Sequence, residues 1–289
     1  MIDWLLMIGG GIAAGLFGSL LGLGGGILIV PLLTLGFGLA LIKAVGISLV
    51  CVIVTSGAAA GVYLERRVAN LRLGMTLELF TASGALVGGL IAFLLAPRLL
   101  ELLFGGLLVY VAVTMARRRE PERSATDTPA GEADAADPEP IDDTDRHVDT
   151  APEGDTSFAA TLSGPGYHVH RLGFGIVGSL VAGVVSALLG IGGGLVKVPV
   201  MHVVMGVPLR VATATSNLMI GITASASAII YLLRGGIDPY VAAPTAIGVF
   251  VGASIGSRAA HRIDLRVLRG LFVVILLYTA WQMLQRALA

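Results

Sequence analysis

The chain has 289 residues, 55% of them hydrophobic and 13% charged, and its mean hydropathy is +0.88. These values exclude an ordinary soluble domain and predict a polytopic membrane protein. The formal net charge is zero, but residues 120–156 hold 13 of the 19 acidic residues. The remaining sequence has an excess of Lys and Arg, which suits anions or positively charged cytoplasmic loops.

The first apolar run, residues 2–21, is interrupted by glycines at Gly22–Gly26, and a shorter apolar piece follows at 27–38. We call Gly22–Gly26 the first glycine break. Such a sequence does not hold a regular helix unaided. Within hydrocarbon a broken backbone is tolerated only where protein or a water-filled cavity satisfies it, so we predict a re-entrant helix unit that lines a site. Close helix packing is the alternative role of these glycines.

Three full spans are predicted next, at residues 44–64, 73–96 and 99–116. Residues 1–119 therefore form a first membrane repeat. From residue 120 to 168 the sequence is rich in Asp, Glu, Pro, Thr and Ala, and it predicts a disordered acidic linker. Residues 169–289 form a second membrane repeat, in which Gly190–Gly194 is the second glycine break.

The two repeats match at a constant offset of 168 residues. Both breaks are followed by proline, at Pro31 and Pro199, and further matched positions extend over about 90 residues, including Ser48 with Ser216 and Phe104 with Phe272. This register predicts a duplication, with each half made of a glycine-broken unit and three transmembrane helices.

Loop charges bear on how the halves are oriented. The counts leave aside Arg123 and Arg146 of the linker and Lys197. If each unit crosses the bilayer fully, the halves are parallel and one side has nine Lys and Arg against seven. If each unit is re-entrant, the halves are inverted and the count is twelve against four. The positive-inside rule favours inverted repeats and a cytoplasmic linker in a multi-pass protein of the cell membrane.

A helix that resumes after a break presents free N–H groups, which attract an anion. Hydroxyl and amide donors in the following span suit the oxygens of a sulfur oxyanion or carboxylate. Backbone bonding or interhelical contact is the alternative role of these hydroxyls. The predicted substrate-binding residues are Gly24, Gly25, Gly26, Ser48, Gly192, Gly193, Gly194, Lys197, Thr215, Ser216 and Asn217.

Charged residues inside the spans are functional candidates because their burial is costly. Lys197 either faces the anion pathway or extends to the membrane surface, and Ile29 stands at its matched position. Glu78 and His202 are candidates for proton coupling, although Glu78 is also compatible with the membrane interface and His202 with a structural role.

Other classes of function lack their motifs. The first glycine break follows no strand and has no acidic ribose partner, which argues against a nucleotide site. The sequence shows no metal cluster or catalytic triad, and we predict no enzyme, cofactor or nucleic-acid partner. The glycine series Gly248, Gly252 and Gly256, with Gly84 and Gly88, predicts close helix pairs within the chain or in a homodimer.

The two Gly-x-Gly-Gly-Gly segments, each followed by proline and a Thr/Ser-bearing span, resemble the sulfite exporter TauE/SafE family of membrane permeases. The resemblance covers residues 9–116 and 171–287. It implies a secondary carrier, an exporter in its family name, for small anions such as sulfite, thiosulfate or sulfonates. Gly24 to Gly26, Gly192 to Gly194, Ser48 and Thr215 to Asn217 match the family pattern around the substrate path. The first half departs from it with Leu49 opposite Asn217.

We therefore expect an all-α transporter of small anions that works by alternating access between two repeats. A membrane scaffold without transport and a passive anion channel are the alternatives. A scaffold predicts that the acidic linker recruits a protein, and a channel predicts flux without saturation.

Overall fold

The computed structural model describes residues 2–20, 26–65, 69–117, 162–163, 167–259 and 265–288. Every regular element in these ranges is helical. The first half contains α1 (Ile2–Leu20), α2 (Gly26–Pro31), a π-helical turn π1 (Leu32–Gly36), α3 (Leu41–Glu65), α4 (Leu71–Leu94) and α5 (Pro97–Arg117). The second half contains α6 (Leu172–Leu189), α7 (Gly194–Pro199), π2 (Val200–Val204), α8 (Leu209–Leu233), α9 (Pro239–Ala259) and α10 (Leu265–Leu288).

Six segments of these helices are long and apolar enough to cross a membrane, and they belong to α4, α5, α6, α8, α9 and α10. The 25 residues of α3 span about 38 Å as a helix, which also exceeds the hydrocarbon thickness. Large apolar side chains such as Met75, Leu94 and Phe174 remain exposed on the outside of the bundle. An apolar outer surface of this kind suits contact with lipid rather than water.

The helix boundaries follow from local chemistry. Asn70 caps α4, since its Oδ1 accepts a hydrogen bond of 3.0 Å from the Leu73 N–H. Pro97 and Pro239 stand at the first positions of α5 and α9, where a missing N–H costs nothing. Pro31 and Pro199 end α2 and α7, and each is followed by a π-helical turn. A proline cannot donate to the preceding turn and displaces its carbonyl, which disturbs the regular α pattern at both places.

Each half packs its first helix against a helix of the other half. α1 lies along α9, and α4 lies along α6. Gly252 contacts the backbone of Ile12, and Gly84 contacts the backbone of Leu180. These two contacts are related by the offset of 168 residues. The close approach requires glycine because a Cβ at either position would overlap a backbone carbonyl.

The same correspondence holds for further pairs. Gly88 contacts Val184 as Gly256 contacts Leu16, and Gly183 contacts Thr81 as Gly15 contacts Val249. In both helix pairs the contacts advance in the same chain direction, so α1 runs parallel to α9 and α4 parallel to α6. The duplication remains a prediction, and it is the simplest account of these matched contacts. The orientation of the halves in the bilayer likewise remains a prediction.

The glycine series that predicted helix pairs is used within the chain. Gly84, Gly88, Gly248, Gly252 and Gly256 each contact a helix of the opposite half. A homodimer remains a prediction, and it would require a different face.

Most of the predicted acidic linker lies outside the described residues. Near its end, the Asn70 side-chain amide donates to the Leu162 carbonyl at 2.8 Å and to the Tyr167 hydroxyl at 2.7 Å. These bonds attach the residues before α6 to the start of α4.

The glycine contacts yield a stability prediction. Gly84→Ala should lower the free energy of unfolding by about 1–3 kcal/mol, because the added methyl group forces α4 away from the Leu180 carbonyl. The control is Gly106→Ala, where nothing lies within 4 Å and the change should be neutral or slightly stabilising. Thermal unfolding of the two purified variants in detergent gives the order of Tm values. Equal Tm values would contradict the close packing.

Candidate functional site

The second glycine break separates α6 from α7, and its backbone adopts the left-handed conformation that favours glycine. Gly190 ends α6 with φ of 70°, and Gly192 and Gly193 follow with φ of 80° and 76°. Left-handed backbone of this kind strains any residue with a Cβ. The predicted interruption of the helix is confirmed here, and three of its glycines are required by conformation alone.

The two glycine breaks meet inside the protein. Gly26, the last residue of the first break, lies so close to Gly190 that a Cβ on it would come within 2.7 Å of the Gly190 carbonyl oxygen. Residues 21–25 are outside the described residues, so the predictions for Gly24 and Gly25 cannot be placed on the fold. The two breaks are therefore in contact at Gly26 and Gly190.

Ser48 of α3 joins the breaks. Its Oγ lies 2.8 Å from the Gly190 carbonyl and 3.1 Å from the Gly26 carbonyl, and the side chain is fully buried. Because a hydroxyl has one proton to donate, the two carbonyls share this donor. Ser48, predicted to bind substrate, therefore bonds to backbone carbonyls at both breaks.

Two other buried serines have no hydrogen-bond partner. The Oγ atoms of Ser186 and Ser216 are both in this state, and each residue is at most 1% exposed. A methyl group on Gly193 would lie 3.6 Å from the Ser186 Oγ, and one on Gly194 would lie 3.6 Å from the Ser216 Oγ. The hydroxyls thus flank two consecutive glycines of the second break. Unsatisfied buried donors are rare, so this pair points to a ligand.

A small cavity adjoins these residues. It is lined by Leu107, Val185, Ser186, Ile191, Gly193, Leu195 and Val196. Its interior holds no more than about one water molecule. A sulfur oxyanion would fit there only after neighbouring helices move apart.

Charged side chains form a second cluster, three residues beyond the break. Lys197 Nζ lies 2.8 Å from Glu78 Oε2 and 2.7 Å from Thr223 Oγ1, and Thr223 Oγ1 lies 2.6 Å from Glu78 Oε1. Lys197 and Glu78 are 1% and 4% exposed, and Thr223 is fully buried. We call Glu78, Lys197 and Thr223 the ion-pair cluster. Lys197 is thus paired inside the protein with Glu78 and Thr223, and neither charged side chain reaches the protein surface.

The ion-pair cluster combines both halves of the chain. Glu78 comes from α4, and Lys197 and Thr223 come from α7 and α8. At the offset of 168 residues, Lys197 corresponds to Ile29 and Glu78 to Ala246, so the matched positions cannot form a second ion pair. The polar chemistry is therefore asymmetric in a fold whose helix contacts are matched.

Three other predicted site residues contact the backbone. Thr215 Oγ1 accepts a hydrogen bond of 3.0 Å from the Asn70 N–H. The Asn217 carbonyl accepts one of 2.9 Å from Ser56 Oγ. His202 is exposed on π2, with Nδ1 2.9 Å from the Val207 carbonyl oxygen. A carbonyl can only accept, so Nδ1 donates and the ring is held by its own loop. Among the described residues, no three His, Cys, Asp or Glu side chains are grouped to hold a metal.

Sequence reasoning missed two residues of the site. Ser186 was not predicted, since its matched position is Gly18 and nothing in the second half alone indicates an unpaired hydroxyl. Thr223 was not predicted either. Its position seven residues beyond Ser216, or about two helical turns along an apolar span, was the available signal.

The fold and site define a multi-pass α-helical membrane protein with a buried polar centre at interrupted helices. The model of the family described as Sulfite exporter TauE/SafE matches residues 7–283. The chain belongs to this family, which is a family of membrane transporters.

Relatives carry transporter descriptions. The chain is 22% identical over 290 residues to "Probable membrane transporter protein YunE" of Bacillus subtilis, and the match covers 98% of each protein. It is 25% identical to "Probable membrane transporter protein MamO" of Magnetospirillum gryphiswaldense and 26% to that of Paramagnetospirillum magneticum. These two matches cover 94% of this chain but 43% of each MamO protein, so the chain spans less than half their length. No solved structure matches the chain significantly.

The matched serines should respond differently to the same substitution. Ser48→Ala removes the donor to two buried carbonyls and should cost about 1–3 kcal/mol of unfolding free energy. Ser216→Ala removes a hydroxyl without a partner and should be neutral or stabilising. Thermal unfolding in detergent compares the two. An equal loss of stability in both variants would show that Ser216 has a structural hydrogen bond.

The ion pair should behave as a unit. Glu78→Leu or Lys197→Met alone leaves one buried charge without its partner and should cost about 3–5 kcal/mol. The double variant removes both charges and should be less destabilised than either single variant. The control is Lys43→Met at an exposed position, which should change stability by less than about 0.5 kcal/mol. Additive losses in the double variant would contradict the coupling.

Proposed function

We propose that this protein is a secondary transporter, and specifically an exporter, of small sulfur-containing or organic anions such as sulfite, thiosulfate or sulfonates. The observation that carries the proposal is the pair of unsatisfied hydroxyls, Ser186 and Ser216, beside the second glycine break of a protein in a sulfite exporter family. The ion-pair cluster contains the Lys197 ammonium, which is paired with Glu78 in this conformation. The cell membrane, with the acidic linker on the cytoplasmic side, is the location we propose.

The chemistry of the residues suits an oxyanion. The hydroxyls of Ser186 and Ser216 can each donate one hydrogen bond, and an anion oxygen would remove the cost of leaving them unpaired. Gly193 and Gly194 allow the ligand to approach the backbone because no Cβ stands in the way. Lys197 adds an ammonium group three residues further along α7. Neutral hydroxyl donors bind an anion less strongly than a buried cationic side chain does, and this favours release of the anion after transport.

Alternating access is supported by the way in which the halves meet. The breaks touch at Gly26 and Gly190, and the cavity beside Gly193 is the size of about one water, so this conformation is closed around the site. Two helix pairs, α1 with α9 and α4 with α6, contact each other through glycines. Few side chains interlock there, so little opposes sliding of one helix along the other. Small shear motions of packed helices are a known route for closure around ligands. We propose that such a shift opens the site to one side of the membrane at a time.

Transport by purified protein tests this proposal. Proteoliposomes should take up labelled sulfite, thiosulfate or a sulfonate with saturation, above empty vesicles. Gly193→Leu should abolish uptake because it combines a strained φ of 76° with a side chain in the site. Gly106→Leu, on an open surface, is the matched control and should transport normally. Ser216→Ala should raise the KM about tenfold at unchanged stability, the typical loss for one hydrogen bond to a charged ligand.

Contrary outcomes are distinct. No flux above empty vesicles for the whole panel would contradict the transporter. Flux that does not saturate would indicate a channel. Deleting residues 121–156 should leave transport intact, and transport lost by that deletion alone would assign the linker an essential role.

A further inference from the structure

The Glu78 carboxylate occupies the place that a transported oxyanion would take in the ion-pair cluster. One of its oxygens is 2.8 Å from the Lys197 ammonium, and the other is 2.6 Å from the Thr223 hydroxyl. A sulfite, thiosulfate or sulfonate group presents oxygens of the same kind to the same two donors. The cluster is thus arranged like an anion site whose occupant is a residue of the protein.

We propose that Glu78 competes with the transported anion for Lys197 and Thr223 and carries a co-transported proton. This inference rests on the proposed function. Binding of a proton to Glu78 ends the ion pair and leaves both donors to the incoming anion. Loss of the proton restores the ion pair and expels the anion. Each anion therefore moves together with one proton.

Charge balance in a buried site explains why the two events are linked. Lys197 is 1% exposed, and a buried ammonium requires an anionic partner. An ionised Glu78 and a substrate anion together would place at least two negative charges beside one positive charge, which a buried site resists. The two favoured states are ionised Glu78 with Lys197, and protonated Glu78 with Lys197 and the anion. The proton comes from water and bonds to a carboxylate oxygen of Glu78, while Lys197 retains its three protons throughout.

On α4, α7 and the elements packed against them, the other ionisable residues are Arg72, Arg210, Tyr231 and His202. His202 is exposed on π2 and bonded through Nδ1 to the Val207 carbonyl. Of the helices packed on α4, α6 contains no ionisable residue, and α8 contains only Arg210 and Tyr231. Tyr231 is about 12 Å and Arg210 about 20 Å along the helix from Thr223. On α4 itself, Arg72 is exposed and about 9 Å along the axis from Glu78. Since the matched positions are Ile29 and Ala246, the duplicated half adds no second carrier.

The first experiment measures proton uptake by the unaltered protein. The probes are thiosulfate, methanesulfonate and sulfite, added to detergent-solubilised protein in weakly buffered solution with a pH indicator. Each anion that binds should bring about one proton with it, apart from any change in its own protonation. Thiosulfate and methanesulfonate keep a constant charge near neutral pH, so they give the clean result. Binding with no proton uptake would overturn the inference while leaving the transporter in place.

The second experiment uses Glu78→Gln, which resembles the protonated carboxyl group. The affinity of the wild-type protein for the anion should rise about tenfold as the pH falls. The variant should bind the anion at least as tightly as the wild-type protein does at low pH, and its affinity should not depend on pH. In proteoliposomes, anion uptake driven by a pH gradient should be at least about tenfold slower for the variant than for wild type. The rate at which the variant exchanges anions across the membrane should stay within about threefold of the wild-type rate. Glu101→Gln, on α5, is the matched control and should behave as wild type.

The outcomes separate coupling from structure. If Glu78→Gln binds the anion more weakly and retains its pH dependence, Glu78 only supports the fold. If the variant does not fold, the proton count on wild type decides the question, and Glu78→Asp should retain proton uptake. If none of the three anions binds or is transported, both the inference and the proposed function fail. If wild type transports without any response to a pH gradient, the inference alone fails.

Discussion

An interrupted helix within hydrocarbon has to find hydrogen-bond partners for its free backbone groups inside the protein, and the fold depends on this constraint. Ser48 contributes to this, since its hydroxyl lies 2.8 Å from the carbonyl of Gly190 at the end of α6 and 3.1 Å from that of Gly26 at the start of α2. The side chain belongs to α3, so one helix of the first half holds the interruption of the second half in place. Contact between the halves at the centre of the protein is therefore a condition for stable breaks, and the glycine crossings of α1 on α9 and α4 on α6 bring the helices close enough for it.

Within this matched framework the polar chemistry is asymmetric. Ser48 is bonded, and its counterpart Ser216 is not. Lys197 and Ser186 correspond to Ile29 and Gly18, so the polar groups gather at the second break. Two similarly packed halves can provide two similar interruptions, one of which serves structure and the other of which presents unpaired donors. The asymmetry coincides with different residues at matched positions, while the glycine contacts between helices are the same in both helix pairs.

The architecture and the region of the site could be predicted from the sequence. The hydrogen-bond and ion-pair partners of the site residues could not. Apolar length, proline and glycine are local signals, and they located α3, α4 and α5 within a few residues of their observed ends. The pairing of Glu78 with Lys197 joins residues 119 positions apart, and it depends on how α4 is seated against α8. The repeat offered no help, because neither residue has a charged counterpart. Ser48 was a correct choice of position, yet whether its hydroxyl faces a ligand or a carbonyl is decided by tertiary packing alone.

The location of the ion-pair cluster connects the break to the charge. Lys197 lies on a helix of six residues that is bounded by the glycines of the second break and by Pro199. A segment so short, with flexible backbone before it and a π-helical turn after it, can shift relative to α4 with few hydrogen bonds lost. Glu78 and Thr223, in contrast, belong to continuous helices of 24 and 25 residues. A shift of α7 would therefore act on the contacts between Lys197 and these two residues, so that the charge state of the cluster and the position of α7 would depend on each other.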